Sequence, residues 1–132
     1  MKKIIYNSDL GLLLFRLFVG LSMAFAHGLG KMPASDQMVE AVIAIGFPLP
    51  IVFAWCAALS EFVGGLLIAV GLFTRPAALF LGFTMGVAGL VVHGSDPFKV
   101  KELAFVYFFA SLLFVFHGAG KYSLDKLIRK KD

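Results

Sequence analysis

An all-α fold, a polytopic membrane four-helix bundle, follows from three observations on the chain. The mean hydropathy is +0.91, and 60% of the residues are hydrophobic, 15 of them phenylalanine. A water-soluble domain of this length does not carry such an excess. Four apolar stretches lie at approximately residues 10–29, 51–73, 76–93 and 102–118, each close to the roughly 20 residues that cross a hydrocarbon core of about 30 Å. The cations are also shared unevenly between the two sides. Lys2, Lys3, Arg75, Lys121, Lys126, Arg129, Lys130 and Lys131 flank one side, and Lys31, Lys99 and Lys101 the other, which by the positive-inside rule puts both termini in the cytoplasm. The four stretches use most of the 132 residues, so residues 1–132 form one transmembrane domain in a bacterial inner membrane. The formal charge of +4 is thus a matter of topology, and the partner it implies is the lipid bilayer and not nucleic acid.

Taken in order, MKKIIYNSDLG is a short lead in which Ser8 or Asp9 caps the first helix. Lys2, Lys3 and the Ala24-Phe25-Ala26 triplet imitate a signal peptide, but Arg16 inside the apolar region argues against one. At 100° per residue Arg16, Gly20, His27 and Lys31 fall within roughly 60° of one another, a polar stripe on an oily rod. An arginine in a span costs about 3 kcal/mol on insertion scales, so it needs an acid or a wet cavity to receive it. Glu61 is the one deeply placed acid, and the expectation is that Arg16 meets it. Between Pro33 and Pro48, Ser35 can start a short helix with Met38, Val39, Val42 and Ile43 on one face. It is too short to span, so it lies at the outer interface as a lid over the bundle or as a helix on the headgroups. In the second span Glu61 is about ten residues from the outer end, hence near mid-membrane. Ala57, Ala58, Gly64, Gly65 and Gly71 surround it and admit another backbone. After Thr74, Arg75 and Pro76 turn the chain, Gly82, Gly86, Gly89 and His93 form a stripe on the third span. Glu102 is expected to start the fourth, and Gly118 and Gly120 to stop it before a basic tail.

These residues carry a resemblance. GKMPASDQMVEAVIAIGFPLP after a span with an internal arginine, then ALSEFVGGLLIAVGLFTRPAA, an outer histidine and glutamate, and GAGKYSLD before a basic tail are together similar to the DoxX family of small four-helix membrane proteins. The specific parts are Glu61-x-x-Gly64-Gly65 with Gly71, Thr74 and Arg75, and the ending Gly-x-Gly-x-x-Ser-x-Asp. The resemblance implies membrane-associated oxidoreduction, as in a subunit of a thiosulfate:quinone oxidoreductase, without supplying a catalytic residue.

The chemistry can be argued beside it. A quinone needs an apolar slot, a cation at a carbonyl, and groups that exchange protons. Phenylalanines and glycines, Gly65 among them, would form the slot. Arg16 or Lys31 would orient a carbonyl, and Glu61, His93 or Glu102 would pass protons. The competing reading is a polar core whose charges only neutralise one another. No flavin, nicotinamide or iron–sulfur motif is visible, so electrons would come from a soluble or membrane redox partner or a bound cofactor. A haem between His27 and His93 is conceivable, whereas no metal site is expected. Cys56 is the single cysteine, which excludes a dithiol relay within one chain. Two further classes stay open, a scaffold for a soluble redox enzyme and a small proton-coupled transporter, and the chain could assemble as a homo-oligomer.

Overall fold

The computed structural model describes residues 2–131, and every regular element among them is helical. One turn, α1 (Lys2–Ile5), precedes α2 (Ser8–Ser22). Asn7 is the cap, in place of the expected Ser8 or Asp9: its side-chain oxygen accepts from the Leu10 N–H at 3.1 Å, which leaves Asp9 in the first turn, where the helix dipole favours an acid. Beyond Ser22 the rod continues but changes its winding. Met23–Gly28 is a π-helical segment and Leu29–Lys31 tightens to 3₁₀, giving one span of 24 residues, Ser8–Lys31.

The short helix α3 (Asp36–Ala44) starts at Ser35, whose hydroxyl accepts from the Met38 N–H at 3.2 Å. Next comes α4 (Pro50–Val70), with proline at its first position and Gly71, at φ 74°, after its last. The Gly71 N–H returns to the Leu67 and Ile68 carbonyls, so the left-handed turn satisfies the helix end. The third span, α5 (Thr74–Val87), runs on as a π segment, Ala88–Val92. The fourth, α6 (Phe98–His117), begins four residues before Glu102, because Pro97 supplies the extended entry and a preset φ. Glu102 therefore stands in its second turn. After Gly118 and Gly120, at φ 84° and 86°, Ser123 caps α7 (Leu124–Lys131), its hydroxyl accepting from the Lys126 N–H at 3.3 Å.

Four of these rods are long and apolar enough to cross a membrane, and the start of α2 and the start of α7 lie at the same end of the bundle, where Asp9 and Lys126 line one cavity. In the bundle α4 lies between α2 and α5, and α5 lies along α6. Phe114 on Phe15, ring centroids 5.7 Å apart, and Tyr107 on His27, 5.5 Å apart, close the circle from α6 back to the first span. Val19, Met23, Ile68, Leu81, Met85 and Phe114 meet at the centre. Outside, Phe18 (70% exposed), Leu90 (67%) and Phe116 (79%) present an apolar surface suited to acyl chains.

The first span and α4 touch backbone to backbone. A Cβ on Gly20 would stand 2.5 Å from the Ala69 nitrogen, and one on Gly65 would stand 2.8 Å from the Gly20 oxygen and 2.9 Å from the Ala24 nitrogen. Gly28 abuts Phe62 in the same way. Small residues four apart on both rods permit this approach, and it fills the seam where a slot was expected. Gly65 is thereby a packing residue against the first span and not part of a cofactor slot.

Candidate functional site

Two buried charges decide how the interior is organised, and they lie well apart along the bundle. Arg16 is 2% exposed and donates only to carbonyls: Nε to Ala69 at 3.4 Å, Nη2 to Tyr122 at 2.8 Å, and Nη1 to Ala119. Ala69 belongs to the last turn of α4, where unpaired carbonyls carry the negative end of the helix dipole. The guanidinium is thus answered by dipoles, and the expected pair with Glu61 is not formed. The register of the seam explains this. Each advance of four residues on the first span is a retreat of four on α4, so Gly20 opposite Ala69 places Arg16 beyond the end of α4 and Glu61 beside Gly28. Arg16 needs the room that Gly71 leaves, since a Cβ there would meet Arg16 Cζ at 3.1 Å and Ser123 Cβ at 2.5 Å. Nearby, the Asp125 carboxylate accepts from the backbone N–H groups of Phe73 (2.8 Å) and Thr74 (3.1 Å) at the start of α5. Gly71, Thr74 and the GAGKYSLD ending therefore act together as a clasp on the terminal end of the bundle.

Midway along α4, Glu61 meets Lys31 from the far end of the first span. The ammonium lies 2.8 Å from Oε1 and 2.7 Å from Oε2; the carboxylate side chain is 2% exposed and the lysine side chain 42%. One turn of 3₁₀ helix past Gly28 brings the lysine to this position, so the π and 3₁₀ rewinding of the first span aims it. The pair lines a groove of about 570 Å³, within the usual range for small-molecule sites. Phe53 and Ala57 of α4 and Phe80, Phe83 and Val87 of α5 form its walls, and Met38, Ala41 and Val42 of α3 roof it. Among the two readings left open for α3, this placement makes it a lid. Ala88 and Val92 of the second π segment also line the groove, so both rewound stretches border it. Such segments gather at functional sites.

The groove holds few polar groups. The Ser60 and Thr84 hydroxyls lie 2.8 Å apart, and each also reaches a carbonyl one turn back, Ala57 at 2.8 Å and Phe80 at 3.0 Å. Two protons are thus shared among three contacts. His93 lines the rim with its Nδ1 2.8 Å from Asp96 Oδ2, and the Cys56 thiol is exposed on the wall. Of the residues singled out from sequence, Lys31, Glu61 and His93 come together here. Arg16 belongs to the clasp, Gly65 to the seam, and Glu102 is exposed on α6 away from the groove. His27 turns its ring to Tyr107 while His93 pairs with Asp96, so the two histidines have different partners. Ser60, Thr84 and Asp96 were missed. The first two are single hydroxyls in apolar runs, and only the α4–α5 packing brings them into contact.

The sequence model of DoxX matches residues 11–94, which takes in the first span, the lid, α4, α5 and His93. The chain is 35% identical to the inner membrane protein YqjF of Escherichia coli K12, over 99% of each chain. It is 36% identical to an uncharacterised protein of Haemophilus influenzae, over 90% of this chain and 92% of that one. It is 28% identical to the Bacillus subtilis protein named "Putative oxidoreductase CatD", over 92% of this chain and 90% of that one. No solved structure matches the chain. With a family match across its first three spans and near full-length likeness to an inner-membrane protein, this four-span chain belongs to the DoxX family and is a multi-pass protein of the inner membrane.

Proposed function

We propose that the protein is a quinone-linked oxidoreductase subunit and that a lipid-soluble quinone docks in the groove under α3. The observation that carries this reading is the Lys31–Glu61 ion pair set into a largely apolar cavity. A buried charge pair is costly to keep where nothing uses it. Phe80 and Phe83 line the groove and are 65% and 59% exposed on the outer face of α5, so a hydrophobic molecule reaches it from the acyl layer. The relative named as an oxidoreductase supports the same direction.

Reduction of a quinone to a quinol takes up two electrons and two protons. The electrons come from a redox partner protein that carries a flavin or a metal centre. Lys31, whose side chain is 42% exposed, is free to turn its ammonium to a quinone carbonyl and stabilise the charge that develops there. Glu61 is then released to exchange a proton, and His93, steadied by Asp96, links the groove to the aqueous side. Arg16, His27, Gly65 and Glu102 have no part in this chemistry.

The test is the lipid extract of protein purified in mild detergent, analysed for ubiquinone and menaquinone. Wild type should carry quinone, and the double variant Lys31→Met/Glu61→Gln, which removes both charges and orphans neither, should lose about tenfold in occupancy, the worth of one charge-assisted hydrogen bond. A photoreactive quinone should label α4 and α5 peptides. Quinone-free wild type, or unchanged occupancy in a folded double variant, would sink the reading.

A further inference from the structure

A second cavity, of about 670 Å³, lies at the end that carries both termini. Its walls are the turn between α4 and α5, the loop after α6, and the first turns of α7. Arg75, Lys121, Lys126 and Arg129 line it, against Asp9 and Asp125. Asp125 keeps its charge while it accepts from two backbone N–H groups, so four cations face two carboxylates and the cavity is net basic. Arg75 lies over Gly118, with Nη2 3.5 Å from the Phe116 carbonyl, so its fork is oriented and not trailing in solvent. Thr74 also lines the cavity, and its fully buried hydroxyl is the one buried side-chain polar atom without a hydrogen-bond partner among the described residues.

The rim adds a second chemistry. Leu124, Leu127 and Ile128 recur at three- and four-residue spacing on α7 and are 40%, 57% and 50% exposed, and Phe73 beside the cavity is 63% exposed. An apolar helix face next to a basic one, at the ends of four spans, is the pattern of an element lying at headgroup depth. We infer that this cavity is a binding site for the phosphate of an anionic glycerophospholipid, held by Arg75, Lys121, Lys126 and Arg129 while its acyl chains cover the apolar face of α7. A zwitterionic headgroup brings an ammonium that finds four cations against two acids, so it is disfavoured. A free phosphate has no acyl chain for the rim. The site is separate from the groove under α3 and does not depend on the quinone reading.

Native mass spectrometry of the full chain, offered equal amounts of phosphatidylglycerol and phosphatidylcholine with the same acyl chains, tests this. Wild type should retain phosphatidylglycerol at least tenfold over phosphatidylcholine. The quadruple variant Arg75→Gln/Lys121→Gln/Lys126→Gln/Arg129→Gln should lose that preference, while Lys99→Gln at the other end should keep it. Should the quadruple variant fail to fold, the single variants Lys121→Gln and Arg129→Gln, on exposed side chains, should each weaken retention severalfold. Equal retention of the two lipids by wild type, or full preference in the variants, overturns the proposal. So does displacement of phosphatidylglycerol by millimolar inorganic phosphate, which would make the site one for a soluble anion.

Discussion

Arg16 and Glu61 are both 2% exposed, yet the membrane interior tolerates them by different means, and substitution should tell the means apart. Arg16 satisfies three carbonyls from two segments of chain, the end of α4 and the loop after α6. Arg16→Ala orphans all of them, and we predict a loss of about 3 kcal/mol or more in unfolding free energy, read as a lower melting temperature in detergent, with quinone occupancy of the folded fraction unchanged. A loss of occupancy without a loss of stability would return Arg16 to the chemistry. At the ion pair the asymmetry of exposure sets the order. Glu61→Gln leaves a lysine that can reach water, at a cost of about 1 kcal/mol, whereas Lys31→Met strands a buried carboxylate, at about 3 kcal/mol. Equal melting temperatures for the two variants would contradict the geometry. That these charges are buried could be read from the sequence, since a guanidinium and a carboxylate stand out in oily runs. Their partners could not. Carbonyls at a helix end carry no residue signature, and one turn of rewound helix moves Lys31 inward. The matched small residues Gly20, Ala24 and Gly28 against Gly65 and Ala69 do hold the register, and reading them as a pair would have separated Arg16 from Glu61.

Among the elements, α3 is the one whose role the structure decides. It roofs the groove from a single side-chain cap, the Ser35 hydroxyl on Met38, so Ser35→Ala should weaken its first turn by about 1 kcal/mol. Amide hydrogen exchange in the first turn of α3 reports how firmly the lid is held. We expect that exchange to speed up about fivefold in Ser35→Ala, in step with the cap energy; an unchanged rate would mean that the Ser35 hydroxyl does not hold α3. The spans and the Ser35 cap were readable because hydropathy and capping are local. The π segments at Met23–Gly28 and Ala88–Val92 were not, because helix winding there answers to packing across the bundle. The fourth helix starts at Phe98 and not at the expected Glu102, because Pro97, with its preset φ, opens the helix.

In the whole molecule the first span is tied to the last loop and the last helix to the middle turn. Asp125 caps the start of α5 from a different part of the chain, so Asp125→Ala should lower stability by about 1–2 kcal/mol, seen as a melting shift that deletion after Tyr122 reproduces. No change in either would deny the clasp. Ala119 and Tyr122, which receive the Arg16 guanidinium, lie 103 and 106 residues further on. While the ribosome is still making the first three rods, that guanidinium has only the end of α4 to rest on, and the newborn bundle carries an exposed mark of incompleteness. A message cut short before Ala119 should therefore yield a product that membrane proteases clear faster than the full chain, because a loop made only after the fourth span covers a charge carried by the first.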